Sequence, residues 1–152
     1  MVRIAIFPGS FDPFTKGHSD IVDRTLTIVD RVIIAMGHNP EKHSRYFEAE
    51  YMIERIQSVY ADNERVEVIQ YNELTASLAE KHKAQYLVRG LRNTTDFEYE
   101  NSISQLNRYL NKDLETIFLI TSPELAPISS SIIREVHKYG GDVLKFLPYT
   151  LD

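Results

Sequence analysis

Apolar and polar positions follow two alternating rhythms along this chain. Short runs with almost every position apolar read as buried strands, and segments with apolar residues every three or four positions read as amphipathic helices. Val2–Phe7 is the first short run and Arg31–Met36 the clearest; Val66–Tyr71, Tyr86–Val88 and Glu115–Ile120 follow. Between them, Ile21, Val22, Leu26, Ile28 and Val29 keep helical spacing after His18. Met52, Ile53, Ile56 and Val59 form the inner stripe of a predicted helix over Glu48–Tyr60, and Leu74–His82 reads as a shorter one. Thr95 to Glu98 matches a capping box, opening a helix with Tyr99, Ile103, Leu106 and Leu110 on one face. A helix over Ile132–Tyr139 stops at Gly140-Gly141, and Asp142–Leu147 reads as a last short helix.

Five strands alternating with helices predict a doubly wound parallel sheet covered on both faces. Crossovers in such sheets are right-handed, and ligands bind beyond the carboxyl ends of the strands, where strand order reverses. With no internal repeat, low-complexity tract or linker, residues 1–152 read as a single domain.

Charge narrows the partners. Seventeen Lys plus Arg against 22 Asp plus Glu give a net charge of −5, which argues against a general nucleic-acid binder but leaves room for a local basic pocket. With no cysteine there is neither a disulfide framework nor a thiolate metal site. No stretch suits a membrane span and no signal-peptide pattern opens the chain, so the expectation is a cytoplasmic protein.

Polar groups do collect after the predicted strands. The join Phe7-Pro-Gly-Ser-Phe-Asp-Pro-Phe-Thr-Lys-Gly-His18 holds two of the six glycines and two of the six prolines. His18 at a helix start can donate to a phosphate oxygen beside free helix amides; the competing reading is a surface or capping histidine. Ser10 offers a hydroxyl and an amide, or is simply a turn residue. Phe11 and Phe14 read as packing anchors. Lys42, with His43 and Arg45, lies either on a cationic flap or on a solvated loop. Arg89 follows a buried run, an odd place for arginine without an anionic partner. Gly90 is expected to turn the chain there. Arg92 adds a planar fork suited to phosphate, or pairs with Asp96, Glu98 or Glu100. Ser129, Ser130 and Ser131 can cap a helix and hold a polyphosphate at once.

The usual dinucleotide and phosphate-loop fingerprints are absent, as are a nucleophile elbow and any carboxylate–histidine cluster dense enough for a protein-held metal. The remaining donors and cations suit a reaction between two phosphate-bearing substrates, run by positioning and charge stabilisation.

At this point Gly9-Ser-Phe-Asp-Pro-Phe-Thr-Lys-Gly-His18 resembles the Thr-x-Gly-His signature of the nucleotidylyltransferase superfamily. With Arg89-Gly-Leu-Arg-Asn-Thr-Thr-Asp-Phe-Glu-Tyr-Glu100 and Ile128-Ser-Ser-Ser-Ile132, the chain resembles the bacterial phosphopantetheine adenylyltransferases from residue 3 to about Pro148. The resemblance implies a Rossmann-like sheet ordered 3-2-1-4-5 and a homohexamer built as a dimer of trimers. It implies adenylyl transfer from ATP to 4′-phosphopantetheine with Mg²⁺, giving dephospho-coenzyme A and pyrophosphate. The alternative keeps the fold and changes the phosphorylated acceptor. Residue by residue, the resemblance assigns catalysis to His18, Lys42 and Arg92. It assigns ATP binding to Ser10, Phe11, His18, Gly90, Leu91, Arg92, Glu100 and the run Leu125, Ala126, Pro127, Ile128, Ser129, Ser130 and Ser131. Acceptor binding falls to Ser10, Lys42, Thr75 and Arg89, and Mg²⁺ rides on the ATP phosphates. The chain departs from many relatives at Pro127, where they carry an aromatic residue, and at Glu48-Ala-Glu-Tyr-Met52.

Overall fold

The computed structural model describes residues 1–39, 41 and 44–152. Strands β1 (Ile4–Gly9), β2 (Arg31–Gly37), β3 (Val66–Tyr71), β4 (Tyr86–Leu91) and β5 (Glu115–Ile120) form one parallel sheet ordered β3-β2-β1-β4-β5. Helices α1 (Lys16–Thr25), α2 (Ala49–Val59), α3 (Thr75–Lys81), α4 (Thr94–Leu110) and α5 (Ser130–Lys138) connect and follow them, and a one-turn 3-10 helix covers Leu144–Phe146.

The unbroken apolar runs are explained by burial on both faces. Because strand side chains alternate, Ala5, Phe7, Val32, Ile34, Met36 and Val88 enter one core with Ile21 and Val22 of α1 and Met52 and Ile56 of α2. Ile6, Ile33, Ala35 and Leu87 point the other way, onto Ala76, Leu78 and Ala79 of α3. A smaller cluster of Ile133, Val143 and Leu147 packs α5 against the C-terminal segment.

The order 3-2-1-4-5 is the predicted one, and it brings the loop after β1 beside the end of β4. Several local expectations change. Strand one begins at Ile4 and runs to Gly9, and strand four runs on to Leu91 instead of stopping at Val88. Gly90 does not turn the chain: it pairs with Leu119 inside the sheet. The Thr95–Glu98 capping box does not form, because the cap lies earlier, at Asn93, whose side chain accepts from the Asp96 amide at 2.9 Å. The apolar stripe of α4 is largely uncovered, with Tyr99, Leu106 and Leu110 exposed. α1 ends at Thr25, short of the predicted stripe, and beyond it Ile28 is exposed while Val29 is buried. The departure at Glu48 is visible too: it occupies the N-cap of α2 and makes no side-chain capping bond.

Candidate active site

The loop between β1 and α1 is built from the inside out. The Phe11 ring lies so close over Gly9 that a Cβ there would meet it at 2.7 Å. Phe11 and Phe14 are buried, as packing anchors should be, and both pack on the His18 ring, Phe11 edge-on and Phe14 stacked, with centroids at 5.1 and 5.3 Å. Thr15 caps α1 and accepts from the Gly17 and His18 amides. In return the Thr15 amide donates to His18 Nδ1 at 2.9 Å. The imidazole thus takes the place that glutamate or glutamine holds in an ordinary capping box. Nδ1 accepts, so the neutral ring carries its proton on Nε2. The capping reading of His18 holds, and the residue also lines the cleft. Burial, then the positive charges of Arg89 and Arg92, push its pKa down to about 4. His18 is therefore a neutral hydrogen-bond donor at pH 7.

Arg89 has its partner. Its guanidinium grips Glu100 with two bonds of 2.8 and 2.7 Å and donates to the Pro8 carbonyl. Glu100, a buried carboxylate on α4, thus pairs with Arg89 rather than with Arg92. Arg92 instead reaches Asp96 at 3.1 Å. Burial raises the Asp96 pKa, but hydrogen bonds from Arg92 and the charges of Arg92 and Arg89 outweigh it and hold the carboxyl below its ordinary value.

At the start of α5 the Ser129 side chain caps the Ile132 amide, and the Ser130 hydroxyl donates to the Pro13 carbonyl at 2.8 Å. Those bonds pin the helix start beside the β1–α1 loop, where Ser129–Ser131 line the cleft at a helix N-terminus.

Two cavities open at the carboxyl ends of the strands. The first, about 330 Å³, is lined by Ser10, Phe11, Gly17, His18, Gly90, Arg92, Glu100 and the run Ile128–Ser131, among others. The second, about 280 Å³, is lined by Gly37, Tyr71, Thr75, Leu87, Ile103, Ser104 and Asn107, among others. Pro8, Gly9, Ser10, Arg89 and Glu100 border both. Residues far apart in the sequence thus meet as two adjoining chambers. Leu91, Leu125, Ala126 and Pro127 do not border the first cavity, and Leu91 is buried. Lys42 lies outside the described residues. Among the described residues no group of three His, Asp or Glu side chains is arranged to hold a metal ion, and the cleft carboxylates Asp96 and Glu100 are both ion-paired.

Sequence reading missed the residues that brace the loop. The Asp12 carboxylate accepts the Tyr46 and Phe47 amides at 2.8 Å each, and Arg45 donates to the Ser10 and Phe11 carbonyls. Arg134 of α5 donates to the Asp12 carbonyl at 2.7 Å. The only local signal was an aspartate held between Phe11 and Pro13; the partners lie 34 or more residues away.

A doubly wound parallel sheet with two chambers where its strand order reverses is a Rossmann-like fold of the nucleotide-binding kind. Residues 6–136 match the Cytidylyltransferase-like family. The chain is 63% identical over 151 residues to the phosphopantetheine adenylyltransferase of Cytophaga hutchinsonii, covering 99% of this chain and 100% of that one. It is 47% identical to that of Bacteroides thetaiotaomicron, covering 97% and 96%. The chain belongs to the cytidylyltransferase-like family and, within it, to the phosphopantetheine adenylyltransferases. A solved bifunctional NMN adenylyltransferase/ADP ribose pyrophosphatase of Francisella tularensis shares the fold with a TM-score of 0.72 at 17% identity. That match covers 99% of this chain and 46% of the other, so this chain spans about half of the bifunctional one.

Proposed function

We propose that this chain is one nucleotidyltransferase domain that moves the adenylyl group of ATP to 4′-phosphopantetheine, giving dephospho-coenzyme A and pyrophosphate. The observation that carries the reading is the pair of chambers joined along Pro8–Ser10, Arg89 and Glu100. ATP occupies the first, with its β- and γ-phosphates on the α5 amides and serines and its α-phosphate facing His18 and Arg92. Gly90 and Glu100 complete its lining, and Ser10 and Phe11 offer their backbone; Leu91 and the Leu125–Pro127 segment lie outside that lining. The acceptor occupies the second, against Thr75, with its phosphate directed by Arg89 and Lys42 past Ser10.

An acceptor phosphate oxygen attacks the α-phosphorus in line. The new P–O bond forms as the bond to the β-phosphate oxygen breaks, and pyrophosphate leaves with that electron pair. The attacking phosphate is already an anion at neutral pH, so no general base is required. His18 Nε2–H donates to the α-phosphate oxygen where negative charge builds, and a neutral donor fixed by its cap does this without reorganising. Mg²⁺ enters as part of the substrate, on the ATP phosphates, which agrees with cleft carboxylates already taken by arginine. The reading carries with it a cytoplasmic enzyme, where ATP-driven biosynthesis runs. Among the described residues no helix is long and apolar enough to cross a membrane. It also carries a homohexamer built as a dimer of trimers, supported by the uncovered face of α4 with Tyr99, Leu106 and Leu110.

The test is pyrophosphate release from MgATP with 4′-phosphopantetheine, beside nicotinate mononucleotide and glycerol 3-phosphate as rival acceptors. Turnover with phosphopantetheine alone is expected. H18A should stay folded and lose about 10²–10³ in kcat, the usual cost of one oxyanion donor. Preference for another acceptor, or undiminished turnover in H18A, would refute the reading.

A further inference from the structure

The turn that carries Ser10 is strained. Phe11 has φ 44°, the left-handed region that large side chains avoid. Such a backbone persists only where neighbours over-determine it. Here the neighbours come from the segment before α2, in the connection that follows β2. The Arg45 side chain is 12% exposed, and every arm of its fork is engaged. Nη1 donates to the Ser10 carbonyl, Nη2 to the Phe11 carbonyl at 3.1 Å, and Nε to the Phe47 carbonyl at 3.0 Å. Nη2 also lies 3.8 Å from the Asp12 carboxylate. That carboxylate ties back to the same segment through the Tyr46 and Phe47 amides. The two segments are thus stitched in both directions, one by a guanidinium and one by a carboxylate.

Arg45 borders neither chamber. It reaches the site only through the two carbonyls it holds. The Ser10 carbonyl fixes the plane of the Ser10–Phe11 peptide, and the Phe11 carbonyl fixes that of the Phe11–Asp12 peptide. They therefore set where Ser10 stands between the chambers and where the Phe11 ring meets His18. We infer that Arg45 is a positioning residue for group transfer: it fixes Ser10 and, through the Phe11 ring, the His18 imidazole, without touching either substrate. The inference rests on the adenylyl-transfer reading for its kinetic consequence but not for its structural one.

The experiment compares wild type, R45Q and R45K. It measures kcat, KM for both substrates, the thermal midpoint, and, in the enzyme without substrates, amide hydrogen exchange at Ser10 and Phe11 with the ¹⁵N shifts of the His18 ring. In both variants kcat should fall about 10- to 100-fold, the cost of a small misplacement at a reacting centre, with KM held within about three-fold. Exchange at Ser10 and Phe11 should quicken and the imidazole shifts should move. R45K keeps the charge, but a compact ammonium lacks the planar fork that spans the Ser10, Phe11 and Phe47 carbonyls, so it should fold like wild type and regain little activity. Unchanged kcat would overturn the inference, and so would a loss confined to KM, which would make Arg45 a substrate contact. A wild-type enzyme inactive on these substrates would refute the functional reading alone. In that event, unaltered exchange and imidazole shifts in R45K would overturn the positioning role, and altered ones would support it.

Discussion

The Thr15 amide points at His18 Nδ1 from 2.9 Å, so the cap of α1 chooses the tautomer of the histidine that faces the first chamber. Across pH 6–8, ¹⁵N spectra should show Nδ1 unprotonated and Nε2 protonated, with titration near about 4. T15V removes the hydroxyl that accepts from Gly17 and His18 but keeps the amide. It should cost about 1 kcal/mol of stability and leave the tautomer intact. A ring protonated on Nδ1 at neutral pH would contradict the assigned role.

The same ring ties folding to acid. Its folded pKa of about 4 lies below the ordinary imidazole value of 6.5. Between those values the unfolded chain binds the proton and the folded one does not. Stability from this group therefore falls as pH drops through that window, by up to about 1.4 kcal/mol per pH unit, and is level above it. Urea unfolding of wild type and H18Q between pH 4 and 7 checks this: the variant should lose less on acidification.

Arg89 and Glu100 are unequal partners, with side chains 31% and 10% exposed. Removing the arginine strands the more buried charge. R89Q should therefore destabilise more than E100Q, with the double variant milder than the sum. A coupling of about 1 kcal/mol is expected, reduced by the solvent that reaches Arg89. A urea-based double-mutant cycle reads it directly, and strict additivity would deny the coupling.

Two glycines should separate stability from activity. G9A drives a methyl into the Phe11 ring, should cost about 1–3 kcal/mol, and should cut turnover as the ring shifts against His18. Gly140, at φ 80°, has open space around its Cβ position. G140A should cost about 1 kcal/mol through backbone strain with turnover unchanged. Thermal unfolding beside pyrophosphate release distinguishes them.

The sheet was readable because its central strands are buried on both faces and leave an unbroken apolar signature, as in Val32–Met36. Strand four was cut short because Arg89-Gly90 looks like a turn. Only the Arg89–Glu100 pair and the pairing with β5 make an arginine and a glycine tolerable there. Asn93 beat Thr95 as a cap because both sit three residues before an acceptable N3, and local sequence does not rank them. The stripe of α4 has the right period for a core, but period does not say what covers it. Ser10, His18 and Ser129–Ser131 could be read as candidates because they lie in the stretches that follow a strand, and Arg89 because its charge interrupts an apolar run. Arg45 could not, since a guanidinium that holds carbonyls 34 and 35 residues away leaves no pattern in its own neighbourhood.

The shared border of the two chambers has a consequence for the end of the catalytic cycle. In the proposed reaction each substrate is held by one chamber, but the joined product lies across Ser10 and Arg89 and is held by both. Each half tethers the other at high effective concentration. The product should therefore bind more tightly than either substrate and depart more slowly. Escape, rather than bond formation, would then set the pace of the enzyme, and added pyrophosphate would readily drive the cycle backwards.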